Sequence, residues 1–168
     1  ATGAVGIHEG WKVHLIDNEL SRTGGMPPIA MVFEGAEAAF VGNTIKGSGV
    51  AGIRVAGRVD ASGNRFIGTA MRKGGPPNFA VWGLPGSRIT FSGNQAAGWR
   101  HAVSADRAAV TAWDNEIADY WQAGTRVSEP TAPVNAFNNV FKSEEGHAAL
   151  SINGDRGYTE GNRVQKGQ

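Results

Sequence analysis

The stretch Val59-Asp60-Ala61-Ser62-Gly63-Asn64-Arg65-Phe66 alternates apolar and polar side chains on both sides of a Gly-Asn pair. Successive side chains of a strand point to opposite faces, so Val59 and Ala61 share one side and Asn64 and Phe66 continue it. Gly63-Asn64 supplies a sharp turn between them, because Gly enters left-handed backbone without a Cβ clash. The same cell recurs as Asp17-Asn18-Glu19-Leu20, Gly42-Asn43-Thr44-Ile45 and Gly93-Asn94-Gln95-Ala96. It continues as Asp114-Asn115-Glu116-Ile117, Asn138-Asn139-Val140-Phe141 and Gly161-Asn162-Arg163-Val164. The seven Asn are 25, 21, 30, 21, 24 and 23 residues apart.

The flanks repeat too. Val13, Ala38, Val59, Ile89, Val110, Val134 and Gly157 stand five residues before each Asn. Leu15, Phe40, Ala61, Phe91, Ala112, Ala136 and Thr159 stand three before. About ten residues after each Asn a second strand signal appears, as in Gly52-Ile53-Arg54-Val55, Phe79-Ala80-Val81-Trp82 and Thr125-Arg126-Val127. No stretch carries the 3.6-residue apolar stripe of an amphipathic helix. The chain reads as all-β, with two or three strands per repeat.

A repeat of about 24 residues with inward alternation is one rung of a solenoid, since a single rung cannot bury its apolar face and stacked rungs share one core. An inward Asn costs free energy unless its amide is paired. Stacking identical Asn at a turn pairs them, each donating to the next and to turn backbone. The residue before each is Gly, Asp or Asn, the types that tolerate left-handed backbone. The Asn column is therefore read as a structural ladder rather than a catalytic set.

This pattern resembles the right-handed parallel β-helix of the pectate-lyase-like superfamily, including its bacterial repeat modules. The GN-x-apolar turns and strands such as Gly52-Ile53-Arg54-Val55 carry the resemblance, which covers essentially the whole chain. It implies one β-helix domain over residues 1–168, of about seven rungs and roughly 30 Å long at the spacing of neighbouring strands. The chain is expected to be a segment of a longer protein, and the resemblance favours a periplasmic or extracellular setting.

Composition excludes other classes. Hydrophobic residues make up 40% and charged residues 18%, too apolar for a disordered chain. Gly supplies 25 of 168 residues without a G-X-Y period, which rules out collagen and fits many corners. No apolar run approaches a membrane span. A net charge of +1 gives no field for nucleic acid. With no Cys there is no disulfide or thiolate chemistry.

The outward column of the second strand is expected to read His8, Val32, Arg54, Trp82, Ser104, Arg126 and Ser151. In the superfamily this sheet commonly lines a saccharide groove. Arg54, Trp82 and Arg126 suit an anionic glycan by charge pairing and ring stacking, with His8 and His101 as further contacts and Trp99 and Arg100 beside them. Two insertions, Arg22–Pro28 and Arg72–Pro77, are expected to project Arg22, Arg72 and Lys73 from one edge. A second outward column, with Ile16, Val41, Trp113 and Phe137, is apolar where solvent is expected, the mark of a covered face such as a homo-oligomer contact.

No catalytic set emerges. The expected groove column has no acidic cluster, and the family's Asp-Pro-His-Asp, Asn-Thr-Asp and Gly-His-Gly signatures are missing. Paired carboxylates for glycoside cleavage are not evident. The four His fall in different rungs without metal-ligand spacing, so neither metal nor cofactor is expected. Three functions stay open: a non-catalytic module binding a glycan or a protein, a polysaccharide lyase, epimerase or hydrolase, and an oligomerising rod.

Overall fold

The residue before each ladder Asn sets a corner. Asp17, Gly42, Gly63, Gly93, Asp114, Asn138 and Gly161 all adopt positive φ, between 54° and 72°. Each corner turns the chain from one short strand to the next, and repetition winds it into a parallel β-solenoid, with no helix among the described residues. The computed structural model describes residues 4–23, 27–69 and 78–166.

Each turn contributes a strand to three parallel sheets. Sheet 1 has seven strands, from Val5–Ile7 to Ala148–Asn153. Sheet 2 has six, from Lys12–Ile16 to Asn135–Phe137, and sheet 3 has seven, from Glu19–Arg22 to Arg163–Gln165. One complete turn is Ala51–Val55, Arg58–Ser62 and Arg65–Gly68. The solenoid thus has about six full turns rather than seven. In the last turn only a single bridge, Val134 to Arg156, stands where a sheet 2 strand would pair. Gly157 and Thr159 occupy the inward positions there, and they offer little apolar surface to bury.

The inward columns fall in register. Leu15, Phe40, Ala61, Phe91, Ala112 and Ala136 align across sheet 2. Leu20, Ile45, Phe66, Ala96, Ile117 and Phe141 align across sheet 3. Large rings alternate with small residues along the axis, and Phe66 meets Phe91 at 5.5 Å. This interdigitation fills the core as close packing requires.

The ladder is directional. Each Oδ1 accepts two hydrogen bonds from the preceding Asn, one from its backbone N–H and one from its Nδ2, as between Asn43 and Asn64 at 2.8 and 3.0 Å. From Asn43 onward each Nδ2 also donates to a carbonyl of the preceding rung, Asn64 to Phe40 at 2.8 Å. The five central members, Asn43 to Asn139, are buried. Every buried amide of the ladder is therefore paired, whereas the buried Nδ2 of Asn78, outside the ladder, has no partner among the described residues.

Candidate binding face

Side chains that leave sheet 1 outward form rows along the axis. Strand pairing places Gly6, Met31, Arg54, Trp82, Ser104, Arg126 and Ser151 in one row. The five members from Arg54 onward stand where the sequence places them. The first two do not: Gly6 and Met31 replace His8 and Val32. Val32 points into the core. The run Ile29-Ala30-Met31-Val32-Phe33 has no polar residue to mark its outward positions, so its phase is illegible from pattern alone.

His8 lies just past the first strand, two residues beyond Gly6, and stacks on Phe33 at 4.5 Å. It therefore belongs to a neighbouring row. His101 opens its strand and is 4% exposed, so it is not a surface contact. Its ring stacks on Phe79 at 5.6 Å, and its Nδ1 lies 2.8 Å from the Ala123 carbonyl. Burial pushes its pKa down to about 4, with the Arg126 and Arg100 charges pushing the same way against the Ala123 hydrogen bond. At neutral pH His101 is an uncharged structural ring. Trp99 is likewise buried, beneath the corner rather than on the face.

The centre of the row is a preformed unit. The Arg54 guanidinium lies 5.5 Å from the centre of the Trp82 ring, within cation–π range. Phe79 flanks the same ring at 6.2 Å. The Arg54 Nε is buried without a hydrogen-bond partner. Ser104, directly between Trp82 and Arg126, is only 5% exposed, so its larger neighbours take the outer surface. Arg126 is exposed. Three strand steps separate the two Arg, or roughly 14 Å. The face thus presents one cation held on an aromatic ring and a second, free-standing cation further along. Sequence pattern locates both but cannot show that Arg54 already covers one face of Trp82.

No family model, curated protein or solved structure matches this chain. The functional reading therefore rests on this geometry.

Other surfaces are distinct. Ile16, Val41, Ser62, Ser92, Trp113 and Phe137 form one outward row of sheet 2. Ile16 and Val41 are exposed, while Trp113 stacks on Phe137 at 5.8 Å and Phe137 meets Tyr158 edge-on at 5.4 Å. At the corner after sheet 3, Asp119, Tyr120, Trp121, Glu144, Glu145 and His147 line a small pocket, in which His147 reaches Glu145 at 2.9 Å. Arg22 closes the first sheet 3 strand, whereas Arg72 and Lys73 lie outside the described residues.

Proposed function

We propose that this chain is a non-catalytic β-helix module, of the pectate-lyase-like kind, whose sheet 1 face binds an anionic glycan. The observation that carries the reading is the row in which Arg54 rests on Trp82 and Arg126 follows two positions later. A rigid parallel sheet fixes these groups before the ligand arrives, which lowers the ordering cost of binding. Guanidinium groups pair with carboxylate or sulfate, while ring surface receives the apolar face of a sugar. His8 and Phe33 extend the aromatic surface beside the row.

The reading is tested by titrating the chain with uronate and neutral oligosaccharides of equal length. Binding of the acidic series alone, weakened by salt, supports it. Equal binding of both series, or of neither, overturns it. Formation of an unsaturated product would instead establish a lyase, since elimination needs a positioned base that the row does not contain.

A second reading rests on the exposed Ile16 and Val41 and on the Trp113–Phe137–Tyr158 ring series. Apolar side chains in a row facing solvent suit contact between copies of the chain.

A further inference from the structure

Eleven Asn occur in the chain, and Asn153 alone is followed by Gly. It ends the strand Ala148–Asn153, where it is exposed, and its side chain makes no hydrogen bond among the described residues. Gly154 has φ of +144°, a conformation rarely open to L side chains. Among the described residues the Gly154 N–H makes no turn hydrogen bond, although the Asn153 carbonyl accepts one from Glu129 N at 2.8 Å. The ladder Asn are the opposite case. Their side-chain amides are held by three neighbours, as Asn94 is by Asn64, Ala61 and Asn115, and the residues that follow them carry side chains.

We infer that Asn153-Gly154 is a site of spontaneous deamidation. The Gly154 backbone nitrogen attacks Asn153 Cγ, loses its proton, and expels the side-chain nitrogen as ammonia. The resulting succinimide ring is opened by water at either carbonyl, giving Asp or isoaspartate at 153. Water is the only co-reactant, and no redox change occurs. Gly at the next position lets the nitrogen approach unhindered by a Cβ, and an unbonded amide on an exposed strand end needs no local unfolding first.

The product matters for the face described above. Asn153 pairs with Ser128, two residues after Ser151 pairs with Arg126. A carboxylate at 153 therefore appears near Arg126 and weakens its attraction for an anion. That consequence rests on the glycan reading; the chemistry does not.

The test incubates the full chain in mildly alkaline buffer at physiological temperature, followed by peptide mapping. The tryptic peptide Ser143–Arg156 contains Asn153 as its single Asn, which makes the site unambiguous. Conversion there to Asp and isoaspartate should run at least about tenfold faster than at any ladder Asn, whose rungs must open first. Asn153→Gln, which disfavours five-membered ring closure, should abolish it. An unmodified Ser143–Arg156 peptide while ladder Asn convert, or equal conversion of that peptide's amide in Asn153→Gln, overturns the assignment. Asn153→Asp then separates the two claims: with deamidation found but glycan binding unchanged in this variant, the site stands and its effect on the face falls.

Discussion

Asn64 holds Asn94 through a single oxygen: the Asn94 Oδ1 accepts the Asn64 backbone N–H at 2.8 Å and the Asn64 Nδ2 at 3.0 Å. Asn94 in turn donates its own Nδ2 to the Ala61 carbonyl at 2.9 Å. One side chain thereby satisfies three buried polar groups of the preceding turn. No apolar residue replaces it without leaving them unpaired.

Asn94→Ala is therefore expected to cost about 3 kcal/mol or more, at about 1–3 kcal/mol for each buried group left unpaired. Asn18→Ala, at the exposed end of the ladder, removes a donor to Asn43 Oδ1 and should cost about 1 kcal/mol. Urea unfolding of both variants checks the contrast, and equal losses would refute the ladder as an energetic unit.

Gly63 tests the corner backbone in isolation. Its φ is +64°, and a Cβ added there meets no atom within 4 Å. Any penalty is then conformational rather than steric with neighbours. Gly63→Val should lose about 1–2 kcal/mol, whereas Gly63→Asn, a residue found at the equivalent position 138, should lose clearly less. A similar loss in both would mean that the corner does not select for left-handed backbone.

Acid should weaken the fold through His101. Its folded pKa is about 4 against 6.5 for the free side chain, so the unfolded chain binds more protons between these values. Stability contributed by the neutral ring is complete above about pH 6.5 and falls as pH drops towards 4. The full shift corresponds to at most about 3 kcal/mol. Melting curves across this window should show a slope that His101→Phe flattens, and an unchanged slope in the variant would exclude His101 as its source.

For the glycan face, Arg126→Glu should weaken an acidic oligosaccharide at least about tenfold, since it removes one charge pair and adds a repulsion. Trp82→Ala removes the ring beneath Arg54 and should weaken it by a similar factor. Ser104→Ala should change little, because the hydroxyl is covered. Calorimetric titration ranks the three, and a dominant effect of Ser104 would misplace the site.

Self-association is checked by sedimentation over a wide concentration range. If the sheet 2 row joins copies, the mass rises with concentration and Trp113→Asp abolishes the rise. A monomer at every concentration removes that reading.

Much of this architecture is legible in the residue order because the repeat is a physical necessity as well as a pattern. A Gly, Asp or Asn before every ladder Asn announces the left-handed corner. Apolar residues five and three before it and two after announce the inward faces. Where the pattern fades the reading slips: five consecutive apolar residues at Ile29–Phe33 hide the phase of sheet 1, and the outward position there is Met31, one residue before Val32. The last turn is shorter than its Asn suggests, since Gly157 and Thr159 bring no apolar surface.

Local order along the chain therefore determines the solenoid, its ladder and the phase of most strands, because backbone conformation and inward alternation act over a few residues. Only the tertiary structure decides which outward side chains remain available. His101 is drawn beneath its neighbours and neutralised by burial, Ser104 is covered by Trp82 and Arg126, and Arg54 folds onto the Trp82 ring. These outcomes depend on contacts between residues some 20 to 28 positions apart, one rung away in space, which alternation alone does not specify.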